Sequence, residues 1–155
     1  MNAIPPSRID WLSDLVRLEI TLWNRVDARL RDEHDLPLAY FWPLYVVGCS
    51  SDGSLRVGEL ATALRLTVGG TSKIVDRIER IGLLRRAPDA ADRRASRVAL
   101  TDAGRDILAA AGATYDAEMA ALLDTALSPD QQREMHALVR HLLATTDAAE
   151  PDGRS

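Results

Sequence analysis

Seven side chains between residues 71 and 97 have the types and spacing to hold a polyanion. Thr71, Ser72, Lys73 and Arg77 lie along a stretch with helical periodicity, and Arg93, Arg94 and Arg97 stand in the run Asp92-Arg-Arg-Ala-Ser-Arg-Val-Ala-Leu-Thr101. Guanidinium groups offer flat forks of donors to phosphate oxygens and base edges, and hydroxyls and an ammonium add shorter contacts. A helix bearing the first set fits a major groove, and a hairpin with arginines at its tip brings cations to a groove or the backbone. The chemistry expected is recognition of duplex DNA. Thr71, Ser72 and Lys73 then meet base edges or flanking phosphates, with Arg77 one turn on, and Arg93 and Arg97 meet phosphates. Asp92 pins a wing arginine by a salt bridge. Arg77 and Arg80 have a second reading, as ion-pair partners of Asp76 and Glu79.

The charge of the whole chain, −4, runs against this until its distribution is followed. From Arg56 to Arg105 there are eleven Lys and Arg against six Asp and Glu; the remainder has eight against seventeen, a net of −9. The positive charge is thus gathered where the helix and the hairpin are, on an otherwise acidic body.

Those residues need elements to position them. Val57, Leu60, Ala61 and Leu64 recur at helical spacing, giving a first short helix over 57–64. Thr67 caps the next helix, about 67–82, whose inner face is drawn from Val68, Thr71 or Ser72, Ile74 or Val75, Ile78 and Ile81. Gly82 ends it. Strand character over 83–86 and 97–100 frames a wing loop from Ala87 to Arg94. Gly69-Gly70 costs helix propensity, which fits either close approach of backbone to DNA or avoidance of a clash between helices.

Upstream, a helix over about 7–33 carries two apolar stripes, one with Ile9, Leu12, Val16, Ile20, Trp23, Val26 and Leu30, the other with Trp11, Leu15, Leu18 and Leu22. Two stripes call for neighbours on two sides, its own core and a second subunit. Leu36-Pro37 breaks it, a short buried helix over 38–47 follows with Pro43 near its first turn, and 50–54 is a loop. Downstream, Thr101 caps a helix to about Ala126, and Ser128-Pro129-Asp130-Gln131 opens the last one, with an apolar stripe of Met135, Leu138, Val139, Leu142 and Leu143. The fold class expected is mainly α with a small β-wing: a winged helix-turn-helix, residues 37–101, flanked by long dimerisation helices, 1–36 and 102–147, with a disordered tail at 148–155.

In this order stand Glu59-Leu-Ala61, Val75-Asp-Arg-Ile-Glu79, Gly82-Leu-Leu84 and the run from Asp92 to Gly104. Over roughly residues 9–146 the chain resembles the MarR family of bacterial transcription regulators. The resemblance implies a homodimer whose N- and C-terminal helices interlock and whose two recognition helices reach successive major grooves of a pseudo-palindrome. It puts the wing, about 84–100, in the minor groove, with Arg94 as the inserted arginine. It also implies repression, and a small aromatic or anionic effector held between the dimerisation helices and the winged helix. By comparison with relatives that respond to such molecules, Trp11, Trp23, Glu59 and Arg85 are the effector-binding candidates. Ordinary core or interface packing is the other reading of each tryptophan.

The lone cysteine, Cys49, allows no internal disulfide. It follows Val46-Val47-Gly48 and is expected to be buried; a redox-responsive regulator acting through it is an alternative. The sequence has no signal-peptide pattern at Met1–Pro6 and no apolar run near the roughly 20 residues needed to span a bilayer, so a cytoplasmic location without membrane contact is expected. His34, His136 and His141 have no metal-ligand spacing, and Gly69-Gly70 is too little for a phosphate loop, so neither metal, cofactor nor enzymatic activity is expected. The remaining alternative is a winged helix used as a protein-interaction module without DNA binding.

Overall fold

The computed structural model describes residues 7–89, 91–92 and 95–149. Helix α1 (Arg8–His34) begins in a reciprocal cap: Ser7 Oγ accepts from the Asp10 N–H, and Asp10 accepts from Ser7 N at 3.0 Å. It stops where Asp35 takes a left-handed backbone, φ 51°. Helix α2 (Leu38–Gly48) follows with Pro37 at its N-cap, a residue with no polar side chain to satisfy the first amides. Asp27 of α1 does so instead, its Oδ1 accepting from Leu38 N at 2.7 Å. Pro43 sits inside α2, further along than the first turn where the sequence placed it.

Strand β1 (Ser54–Arg56) comes next, then α3 (Val57–Leu64), α4 (Val68–Arg80), β2 (Leu84–Pro88), β3 (Ser96–Leu100), α5 (Asp102–Ala126) and α6 (Pro129–Ala149). The hairpin strands were expected; β1 was not. It overlaps the loop read over 50–54 only at Ser54, and it completes an antiparallel sheet of order β1-β3-β2 in which Leu55 pairs with Val98 and Arg86 pairs with Val98 from the other side. Three residues show no alternation in sequence, so only the open edge of β3 reveals the strand.

The core gathers at the middle of these elements. Leu30 of α1, Leu44 and Val47 of α2, Leu60 of α3, Val75 and Ile78 of α4, Leu84 of β2 and Val98 of β3 are all buried. Each such side chain stabilises the fold by about 1.5–3 kcal/mol relative to exposure. Helix α5 starts directly against the end of this core. Thr101 Oγ1 donates to the Gly82 carbonyl at 2.6 Å and accepts from Gly104 N, while Thr101 N donates to the Leu83 carbonyl. Gly104 is obligatory here, because a Cβ would run into that Leu83 carbonyl.

The chain divides into two compact units, Met1–Glu118 and Met119–Ser155, the boundary lying inside α5. In the second, Ser128 and Gln131 cap α6 reciprocally, and Gln132 Nε2 reaches back to Asp124 Oδ1 at 2.9 Å. Of the tail expected from 148, residues 148–149 still belong to α6 and 150–155 lie outside the described residues. No helix among the described residues is long and apolar enough to cross a membrane.

Both terminal helices keep apolar side chains in solvent. On α1 only Val26 and Leu30 are buried, and Ile9, Trp11, Leu12, Val16, Leu18, Ile20 and Trp23 are exposed. On α6 Met135, Leu138, Val139, Leu142 and Leu143 are exposed as well.

Candidate nucleic-acid interface

Helix α4 opens with Thr67 Oγ1 accepting from Gly70 N at 3.1 Å, as the sequence predicted, and Gly82 follows it with φ 80°. Its side chains fall into three stripes about 100° apart. Thr71, Val75 and Ile78 form the buried stripe. Ser72, Asp76 and Glu79 form the second, and Lys73, Arg77 and Arg80 the third, which is exposed. Val68 and Ile81, expected to face inward, are exposed.

Thr71 is therefore not a groove contact. At 0% exposure it belongs to the core, and its Oγ1 has no hydrogen-bond partner. The sequence left Thr71 or Ser72 open for the inner face; the structure puts Thr71 there, in line with Val75 and Ile78.

The second stripe is occupied by a residue the sequence reading did not single out. Arg86, on β2, donates from Nη1 to Asp76 Oδ1 at 2.5 Å and to Glu79 Oε2 at 3.0 Å, and from Nη2 to Ser72 Oγ at 3.3 Å. Its backbone N donates to Glu79 Oε1 at 2.9 Å. Ser72 is thus half-buried and engaged. With both acids of the helix taken by Arg86, the ion pairs considered for Arg77 and Arg80 do not form. Lys73, Arg77 and Arg80 have no ion-pair partner among the described residues. Gly69 precedes Lys73 by one turn, on the same exposed side, and a Cβ there would meet nothing within 4 Å. The helix–helix clash reading therefore does not hold for Gly69. Gly70 is tighter, its would-be Cβ lying 3.0 Å from Thr67 Oγ1.

The base of the wing is organised by Asp89, which is 4% exposed. Its carboxylate accepts from Arg56 Nε at 2.8 Å, Ala91 N at 2.8 Å and Asp92 N at 3.3 Å. The Arg56 bond, followed by that of the Ala91 amide, holds the carboxyl down at about 2. Arg97 is tied into the same base. It donates from Nε to Ser54 Oγ at 2.8 Å and from Nη2 to the Ser54 carbonyl at 2.7 Å, with Asp89 and Asp52 at 3.7 and 3.6 Å. These bonds make Arg97, expected to contact phosphate, also a tie between β3 and β1. Asp89 N and the Ala95 carbonyl close the loop at 3.0 Å. Arg93 and Arg94, the arginines expected at the tip, lie outside the described residues. Pro88-Asp89 followed by two alanines is a turn signal that could have marked Asp89 as the anchor.

Residues 34–95, which take in α2 to α4 and β2, match the MarR family model. That stretch is similar to the MarR family. Solved structures of the family share the fold over nearly the whole chain. Sco3205, a MarR family transcriptional regulator from Streptomyces coelicolor solved in complex with DNA, superposes with a TM-score of 0.81 at 23% identity, over 98% of this chain and 92% of its own. MepR from S. aureus, solved as a DNA complex, gives 0.74 at 26% identity, over 86% and 96%. A mutant MarR from E. coli complexed with operator DNA gives 0.78 at 21%, over 91% and 99%. No curated protein sequence matches the chain.

The effector candidates drawn from MarR-family resemblance do not come together. Trp11 and Trp23 are exposed on α1, Glu59 accepts from Arg56 N at 2.7 Å in the cap of α3, and Arg85 is exposed on β2. None of the four lines a described cavity. A cavity of about 610 Å³ lies instead between α2 and α5, with Phe41, Trp42, Tyr45, Tyr115 and Asp116 among its walls. Cys49 is there too, and it is exposed rather than buried: α2 ends at Gly48, which leaves the thiol at the cavity's edge. Among the described residues no group of three or more His, Cys, Asp or Glu is placed to hold a metal ion.

Proposed function

We propose that this chain is a MarR-type transcription regulator that binds a pseudo-palindromic duplex operator as a homodimer. Helix α4 enters the major groove and the β2–β3 wing reaches the minor groove. The observation that carries this is the third stripe of α4: Lys73, Arg77 and Arg80, exposed and without ion-pair partners among the described residues, beside a glycine that leaves the backbone open. The family-model match over residues 34–95, and similar structures solved on DNA, support the same reading. Occlusion of a promoter by such a dimer makes repression the default outcome.

The second subunit is the natural cover for the apolar side chains left in solvent on α1 and α6. A small-molecule ligand in the α2–α5 cavity, which abuts the core carrying α4, makes the regulator ligand-responsive. The exposed thiol of Cys49 keeps a redox-responsive variant in view; peroxide release of DNA that persists in Cys49→Ser would remove it.

The test is fluorescence anisotropy of a labelled duplex from the region flanking the coding sequence, across a salt series. Binding whose log affinity falls with log salt at about −0.9 per neutralised phosphate supports the reading. Binding without a salt slope, on this and on random genomic duplexes, would point to a protein-interaction module.

A further inference from the structure

The charge of the α2–α5 cavity has the same sign as the anionic ligand expected from sequence. Among the described residues its walls carry one carboxylate, Asp116, and no Lys, Arg or His. The aromatic side is a corner of rings. Phe41 and Tyr115 stack at 5.4 Å and 9°, and Trp42 stands edge-on to Tyr115, 6.0 Å and 81°, and to Tyr45, 5.8 Å and 88°. Across from it α5 supplies Ala109, Gly112 and Ala113, and a Cβ on Gly112 would meet nothing within 4 Å, so space is left in front of the rings.

Asp116 acts on this space. Burial first, and then the Asp116 charge, pushes the Tyr115 phenol up; its bond to Cys49 raises Tyr45 first, with Asp116 adding to it. The carboxylate and both tyrosines line the same cavity. An anion entering here would lose its hydration with no cation to replace it, and would meet a like charge. A cation would meet ring faces and a carboxylate, the two groups that compensate its desolvation best. The volume, about 610 Å³, suits a molecule of drug-like size.

We propose that the α2–α5 cavity binds an organic cation, an aromatic or alkyl quaternary ammonium, through the Trp42–Tyr45–Tyr115 rings and the Asp116 carboxylate. This rests on reading the cavity as the ligand site of the regulator.

The experiment is isothermal titration calorimetry of the full chain with benzyltrimethylammonium chloride and, separately, sodium benzoate at matched ionic strength. The ammonium is expected to bind at least about tenfold more tightly than benzoate, and Trp42→Leu to weaken it by roughly 2- to 30-fold. Asp116→Asn should weaken the ammonium several-fold, and Asp116→Lys should reverse the preference. Asp116 is exposed and has no salt bridge among the described residues, so these two variants are expected to keep the fold, which circular dichroism checks. Equal or tighter binding of benzoate, no binding of the ammonium, or a preference untouched by Asp116→Lys would overturn the proposal. DNA titrations on the same samples separate the two claims: lost DNA binding with an intact ammonium preference strikes the regulator, and the reverse strikes the cation site.

Discussion

Arg86 holds Glu79 twice, through its backbone amide at 2.9 Å and its guanidinium at 3.0 Å, so that strand β2 and helix α4 share one carboxylate. The same guanidinium neutralises Asp76, and together the two pairs clear negative charge from the helix that carries Lys73, Arg77 and Arg80. Arg86 is a positioning residue: it fixes the angle between helix and wing and leaves the third stripe uncompensated.

Arg86→Ala is expected to cost about 1 kcal/mol of stability, since both acids are partly exposed and each pair alone contributes little. Its effect on DNA affinity should be larger, about tenfold, because two carboxylates are then left near phosphates. Arg86→Lys should not restore affinity, as an ammonium cannot span Ser72, Asp76 and Glu79 with a flat fork. Urea denaturation and anisotropy at fixed salt measure the two effects separately.

Lys73→Ala and Arg77→Ala should each reduce the salt slope of binding by about 1 with no measurable change in melting temperature. Thr71→Val should do the opposite. It removes a buried hydroxyl without a partner, and stability should rise by about 1 kcal/mol at constant DNA affinity. A large loss of binding in Thr71→Val would return that residue to the interface.

Gly69→Ala should stabilise the folded chain by about 0.5–1 kcal/mol, because nothing crowds the new methyl. Affinity for DNA should fall all the same if α4 lays its backbone against the groove. Unchanged affinity would leave the glycine without a role in binding.

Asp89 gives a pH signature. Its carboxyl is lowered from 3.8 to about 2 in the folded chain, so its contribution to stability is complete above about pH 4 and is lost as pH falls toward 2. Chemical denaturation of Asp89→Asn should show lower stability at neutral pH and a shallower acid decline than the parent. Parallel declines would mean that Asp89 is not the titrating group.

Much of the fold was legible because the signals were local. Ser7, Thr67, Thr101 and Ser128 each announced a helix start, Gly82 a stop, and the apolar periods the helices between. What stayed hidden was set by contacts distant in sequence. Strand β1 exists because β3 has a free edge, and α2 starts cleanly because Asp27 reaches it from eleven residues upstream. The candidate interface was half legible. Sequence placed Lys73 and Arg77 on the right helix, but periodicity alone could not choose between Thr71 and Ser72 for the inner face. Arg97 and Arg86 look alike in sequence, as two arginines on strands. The one expected on phosphate also ties strands together, and the one passed over steadies the helix.

The β2–β3 hairpin separates α5 from α4 in sequence, yet the start of α5 is bonded directly to the residues that follow α4. Thr101 binds the two carbonyls that end the helix-turn-helix, and Gly104 lets α5 sit against Leu83 without a gap. The joint cannot swivel, so the first turns of α5 act as the handle of a rigid lever whose working end is the groove-reading helix. In a dimer, the tilt of that handle sets the distance between two reading heads. Such a protein measures the gap between operator halves as closely as it reads their bases, and one extra base pair between them should cost it more than a mismatch within either.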